Sequence, residues 1–180
     1  MTETRSTISH VVLNCFDLDR MVEFFTGTLG FHLSDRGTAR GNRICFLTLD
    51  PESDHHQIAL AAGRTGPRDA GSLNHIAFRV PTLADLKSRY RRLTDADVPG
   101  IDPITHGSWL SVYYRDPENN RLEFFWDTPW YVQQPIVEPL DLTLPEEEII
   151  QATLDRFGKT PHFCLMKDWK AETARRRALA

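Results

Sequence analysis

Ile8-Ser9-His10-Val11-Val12-Leu13 and Leu73-Asn74-His75-Ile76-Ala77-Phe78 are one pattern written twice, 65 positions apart. Each sets a polar residue and a histidine at the head of a short apolar run, the signature of a β-strand. A turn and then a helix follow each copy. In the first, Asp17 is placed to cap, Leu18, Met21, Val22 and Phe25 recur at helical spacing, and Gly30 lies just beyond. In the second, Thr82 is the cap and Leu83, Leu86, Tyr90 and Leu93 carry the apolar stripe. The match returns at residues 46–52 and 112–118, which share an Asp-Pro-Glu turn, and each turn leads into a further apolar run. Each half therefore reads strand, helix, strand, strand, strand. A repeated histidine alone means little; a repeat that keeps strand, helix and turn in order defines an architecture.

This gives an α+β fold of two βαβββ modules within residues 1–128, module one at about 7–62 and module two at about 72–128. Residues 129–180 have no counterpart in either half. The stretch 129–139, rich in proline and aromatics, is expected to run extended over the surface. Thr143-Leu144-Pro145-Glu146 resembles a capping box with proline in the first turn. A helix is expected from there to Phe157, stopping at Gly158, and a weaker one over about 166–177. Trp130, Tyr131, Phe157, Phe163 and Trp169 in this extension are candidates to cover the sheet, line a pocket or join two subunits, since such a set is not usually left in water.

Composition narrows the function. The 180 residues carry 21 Lys and Arg against 25 Asp and Glu, a formal charge of −4, so the chain lacks the basic footprint of a nucleic-acid binder. Arg175-Arg176-Arg177 is the one dense basic run and reads as a solvated helix face. No stretch approaches the roughly 20 apolar residues needed to span a bilayer, and the N-terminus lacks a signal-peptide core. Cys15, Cys45 and Cys164 are odd in number and unpaired in spacing; the first two read as buried thiols, consistent with a cytoplasmic protein.

Two histidines at matching places face one another if the modules pair about a pseudo-twofold axis. Glu123 lies inside the apolar run Leu122-Glu123-Phe124-Phe125-Trp126, where a carboxylate is costly unless it meets water or a cation. Taken singly, each of these residues is an ordinary strand histidine or a solvated glutamate. Taken with the repeat, they favour a shared metal site. Two imidazoles and one carboxylate leave one face of the ion open, the arrangement of non-haem Fe(II) oxygenases.

The His-bearing first strand, the Asp17-Leu18 to Phe24-Phe25 helix with Gly30-Phe31 after it, Asn74-His75-Ile76-Ala77-Phe78, and Arg115-Asp116-Pro117 with Asn120-Arg121-Leu122-Glu123 resemble the vicinal oxygen chelate superfamily over residues 7–128. The resemblance implies paired βαβββ modules forming a partly open eight-stranded sheet around a metal held by His10, His75 and Glu123. Within that superfamily, Asp54-His55-His56-Gln57-Ile58-Ala59-Leu60 is similar to the corresponding strand of type I extradiol dioxygenases, of the single-module-pair kind acting on biphenyl-2,3-diol. That likeness implies Fe(II), with Mn(II) as a possible substitute, an aromatic diol and O2 as reactants, His56 as the acid–base residue, and Tyr113, ten residues before Glu123, as a hydrogen-bonding phenol. His106 matches a further active-site histidine, two residues closer than the family spacing. His55 is expected to alternate away from the site, and Phe46, Trp109, Phe124 and Trp126 to offer an apolar pocket. A homodimer or higher homo-oligomer is expected. The competing readings are a glyoxalase, an epimerase or a thiol transferase, and a metal-free small-molecule binding protein. Glyoxalase chemistry resembles a site with an acidic ligand from each half, and the first half offers His56-Gln57 at that place.

Overall fold

The structure, a computed structural model, describes residues 7–67 and 73–179. Two compact units make up the chain. One is module one with the loop Asp116–Asn120, and the other holds Leu73–Arg115 and the chain from Arg121 onward.

Module one runs β1 (Val11–Cys15), α1 (Leu18–Glu23), β2 (His32–Ala39), β3 (Asn42–Thr48) and β4 (Ile58–Ala62), and its strands lie in the order β1-β4-β3-β2. Asp17 caps α1 by accepting from the Arg20 amide at 3.1 Å. Beyond Glu23 the helix widens into a π-turn, Phe24–Thr28, through Phe24-Phe25-Thr26-Gly27-Thr28, whose β-branched and glycine residues hold the tighter α-turn poorly. Leu18, Met21 and Phe25 point inward with Leu13, Leu47, Ile58 and Leu60, and Cys15 and Cys45 are buried among them as free thiols. β2 and β3 meet in a two-residue turn, Arg40-Gly41, with φ of 51° and 84°, the hairpin geometry whose twist matches the strands.

The loop Asp116–Asn120 is stitched into the same unit. Asp116 accepts from the Glu118 amide and from both the amide and the side chain of Asn120. Glu118, 1% exposed, in turn accepts from the Asp17 amide at 2.8 Å and from Arg64 at 3.2 Å. One buried carboxylate thus satisfies the start of α1 and a shielded guanidinium together. Removing one partner of such a pair strands the other in low dielectric. Glu118→Ala is therefore expected to cost about 3 kcal/mol in urea unfolding, and Glu118→Gln, which keeps an acceptor, clearly less. Equal costs for the two would show that the charge, not the hydrogen bond to Asp17, carries the effect.

Module two repeats the plan as β5 (Ile76–Arg79), α2 (Leu83–Asp95), β6 (Asp102–Thr105), β7 (Trp109–Arg115) and β8 (Arg121–Asp127). Thr82 caps α2, and Leu83, Leu86 and Leu93 are buried as the stripe requires. Its sheet has five strands, β10-β6-β7-β8-β5, because the extension adds β10 (Glu138–Pro139) against β6. The strands of the two modules, with β10, therefore lie in two hydrogen-bonded sheets, of four and five.

The extension departs from the surface course expected of residues 129–139. Trp130 and Val132 are buried with Phe157, with Ile136, Ile150, Leu154 and Phe163 packed around them. β9 (Trp130–Tyr131) pairs with β11 (Cys164–Leu165), and Tyr131 stacks on Trp169 at 4.9 Å. The apolar residues make a small core of their own, which the sequence pattern concealed because it has no period. α3 (Glu146–Phe157) stops at Gly158 as expected, but no capping box forms. Pro145 is the N-cap, and Thr143 donates instead to Asp141. α4 (Met166–Leu179) carries Arg175 and Arg176, both exposed and paired with Glu172; the Arg177 side chain lies outside the described residues. Among the described residues no helix is long and apolar enough to cross a membrane.

Candidate active site

Strand alternation in module two sets one row of side chains on one face. His75, Ala77 and Arg79 come from β5 and the residue before it, Trp109, Ser111 and Tyr113 from β7, and Glu123, Phe125 and Asp127 from β8. Tyr113 stands directly opposite Glu123 in the antiparallel ladder, so the ten-residue interval in the sequence becomes a cross-strand pair. All of these but Ser111 line a cavity of about 580 Å³, which His106 joins from the β6–β7 turn. Its remaining wall is Gln134–Val137 of the extension.

Glu123 is 3% exposed. One carboxylate oxygen accepts from the Ser111 hydroxyl, and the other lies 3.2 Å from His75 Nε2. The Asn74 side-chain oxygen accepts from His75 Nδ1 at 2.8 Å, which places the proton on Nδ1 and turns the Nε2 lone pair toward the carboxylate. Two lone-pair atoms at that distance repel unless a cation, proton or metal, lies between them. The neutral imidazole held by a partner on its far nitrogen is also the usual form of a metal-ligating histidine. This donor pair fits a divalent ion.

Tyr113 is 7% exposed; its ring meets His75 edge-on at 5.4 Å, and its hydroxyl lies 3.2 Å from His106 Nε2. Burial first, then the charge of Glu123 and a hydrogen bond to it, push the phenol up to about 12; the Arg121 guanidinium, 3.9 Å over the ring, works the other way. The phenol is therefore a proton donor throughout the working range. His106 is buried against Trp109, with ring centroids 5.1 Å apart.

Module one holds His10 one residue before β1, as His75 stands one residue before β5. The His10 ring lies 4.6 Å from that of His56, which also meets Phe46 edge-on at 5.0 Å. Burial, then His10 and His55, hold His56 below the ordinary histidine range, with Asp54 opposing them. Among the described residues no group of three His, Cys, Asp or Glu side chains is gathered closely enough to hold a metal. Each module holds its own share of the expected residues, with His75, Glu123, Tyr113 and His106 in one and His10 with His56 in the other.

Three expectations are corrected. His55 does not alternate away from His56, because both precede β4, which starts at Ile58; their Nδ1 atoms lie 3.0 Å apart. Phe124 and Trp126 take the opposite face of β8 from Glu123, where Phe124 stacks on Tyr114, so Phe125 replaces them in the cavity. The extension's aromatics do not line this cavity; Gln134, Pro135, Ile136 and Val137 do. Sequence reasoning missed those four, and the one signal for them was the turn chemistry of Gln-Gln-Pro.

A repeated βαβββ unit with a histidine at the head of each copy defines the fold class. The chain belongs to the Glyoxalase/Bleomycin resistance protein/Dioxygenase superfamily, whose description matches residues 7–124. It is 37% identical over 122 residues to biphenyl-2,3-diol 1,2-dioxygenase 3 of Rhodococcus globerulus, and 34% identical over 119 residues to enzyme 2 of the same organism. Each match covers 64% of this chain and 60% of the relative. Among solved structures, a glyoxylase/bleomycin resistance protein/dioxygenase domain from Frankia sp. EAN1pec aligns with a TM-score of 0.60 and 24% identity, over 69% of this chain and all of that one. The fosfomycin resistance protein FosX of Listeria monocytogenes, solved with Mn(II) and sulfate, aligns at 0.54 and 19%, over 69% and 95%. At these identities the two structures speak for the fold alone.

Proposed function

We propose that the chain is an extradiol-type dioxygenase that opens the ring of a catechol-class aromatic diol with O2, using Fe(II), or Mn(II) in its place, held by His10, His75 and Glu123. The observation that carries this reading is the cavity of module two in which His75 and Glu123 offer a cation site beside Tyr113 and His106, walled by Trp109, Phe125 and Ile136. The likeness to two biphenyl-2,3-diol dioxygenases supports it independently.

When bound, the divalent ion acidifies the diol and brings it together with O2. The chain's own residues do the rest. Trp109, Phe125 and Ile136 hold the aryl ring and exclude water, while the Tyr113 hydroxyl, whose one proton is aimed at His106 Nε2 in the free chain, turns to donate it to an oxygen of the reacting pair. His106 Nε2 stands behind Tyr113 and can take or return the phenol's proton. His56, beside His10, would be the acid–base residue, taking one proton from a diol hydroxyl and giving it back to an oxygen that comes from O2, so that both oxygens stay in the opened product.

Fe(II)-loaded protein, purified without oxygen, should consume O2 with 2,3-dihydroxybiphenyl and yield a yellow product. His56→Phe should lose about 100-fold or more in rate at unchanged metal content. Bound metal with no uptake on any catechol would move the protein to the epimerase, glyoxalase or transferase branch. Failure to bind metal at all would make it a small-molecule binder.

A further inference from the structure

The Gln134 side chain spends both of its N–H donors and one acceptor site on backbone groups beside the cavity wall. Its Nε2 donates to the His106 carbonyl at 2.6 Å and to the Val132 carbonyl at 3.0 Å, and its Oε1 accepts from the Ile136 amide at 3.0 Å. The result is a short strap pinned to the backbone of the residue it overlies. Once pinned, the strap presents the Ile136 carbonyl 2.5 Å from His106 Nδ1. A carbonyl can only accept, so the proton of the neutral ring sits on Nδ1. Nε2 is then the lone-pair nitrogen, and it is the one that faces Tyr113 at 3.2 Å. The Trp109 ring on the flank limits how far the imidazole can turn.

We propose that Gln134 is a positioning residue that fixes the tautomer and the aim of His106, so that the extension completes the acid–base pair His106–Tyr113 of module two. The carbonyl that selects the tautomer and the amide that places it come from Ile136 and Gln134, both in the extension and outside either repeat. The ring-cleavage reading supplies the reaction in which His106 is used, but the tautomer itself belongs to the folded chain whatever the reaction is.

The test is long-range nitrogen–proton NMR of the histidine rings in the full chain without added metal, on wild type, Gln134→Met, Gln134→Glu and Ile136→Ala. Gln134→Met keeps the length and removes every hydrogen bond. Gln134→Glu keeps the acceptor for Ile136 and replaces the donor with a carboxylate facing two carbonyls. Wild type and Ile136→Ala, which keeps the backbone carbonyl, should show His106 protonated at Nδ1; both Gln134 variants should show a mixture of tautomers. With Fe(II) and 2,3-dihydroxybiphenyl, the Gln134 variants should lose about tenfold or more in kcat with KM within about twofold, the mark of a misaligned proton carrier. Ile136→Ala should do the reverse, raising KM through the lost wall. An Nδ1 proton retained in either Gln134 variant, or an Nε2 proton in wild type, would overturn the proposal. A shifted tautomer in a protein whose wild type consumes no O2 would uphold the positioning role and reject ring cleavage instead.

Discussion

Glu123→Gln is expected to weaken Fe(II) or Mn(II) binding by 100-fold or more while leaving the metal-free protein at least as stable as wild type. The two halves of that expectation pull apart the two meanings of the His75–Glu123 contact. A carboxylate 3% exposed, 3.2 Å from an imidazole, is either a structural ion pair or half of a cation site. A structural pair would be strongly stabilising against loss of one partner, so neutralising Glu123 would cost about 3–5 kcal/mol. A cation site is under strain when empty, because Ser111 holds one carboxylate oxygen and Asn74 turns the His75 lone pair on the other. Glutamine relieves that repulsion and can donate to His75 Nε2. Outer partners of metal ligands alone are worth about 10–100-fold in affinity, so loss of a direct carboxylate should reach or pass the upper end. Isothermal metal titration and thermal unfolding of the same preparations decide it. Intact metal affinity with a large drop in Tm would make His75–Glu123 a structural pair and remove the basis for a metal at this position.

The sequence disclosed what is periodic and hid what is not. His75, Tyr113 and Glu123 share a face because strands alternate and because ten residues separate partners across the β7–β8 hairpin; both facts can be counted along the chain. The helix stripes and the caps Asp17 and Thr82 were legible for the same reason, as local rules with short range. Phe124 was misplaced by neglecting that same alternation: one residue from Glu123 is the far side of the sheet. His55 failed differently, because an alternation was assumed where no strand exists. Gln134 and Ile136 could not be read at all. Their roles arise from a side-chain amide that donates to the His106 carbonyl across 28 residues and a backbone carbonyl brought to the His106 ring across 30, and no pattern of residue types records where a carbonyl points. The two-residue shortfall between His106 and Tyr113 looked like a departure, yet their side chains meet at 3.2 Å because Gly107 lets the chain turn tightly between β6 and β7.

That glycine carries the other large effect. Gly107→Ala is expected to destabilise the protein by about 2–5 kcal/mol, for two separable reasons. Its φ of 74° lies in the left-handed region, which costs a residue with a Cβ roughly 1–2 kcal/mol. The new Cβ would also stand 2.8 Å from Val132 Cγ2 and 2.9 Å from Val132 Cβ. Val132 is 1% exposed in the core with Trp130 and Phe157, and it exchanges two hydrogen bonds with Ser108 through its amide and carbonyl. It cannot step back without breaking those bonds, and overpacking of this kind costs about 1–3 kcal/mol. The Gly107 carbonyl is further held by Thr128 and by the Trp130 indole, so the turn has little room to move the other way. At about 2–4 °C per kcal/mol for a chain of this size, Tm should fall by roughly 5–15 °C. Repeating the substitution in a Val132→Gly background, which removes the Cβ and both Cγ atoms that the new side chain would meet and keeps the backbone hydrogen bonds to Ser108, separates the reasons. There the clash is gone and Gly107→Ala should cost only the backbone share, giving a coupling of about 1–3 kcal/mol between the two sites. The same cost in both backgrounds would mean that Val132 does not press on Gly107. The extension would then not be clamped to the His106 turn in the way its buried hydrogen bonds require.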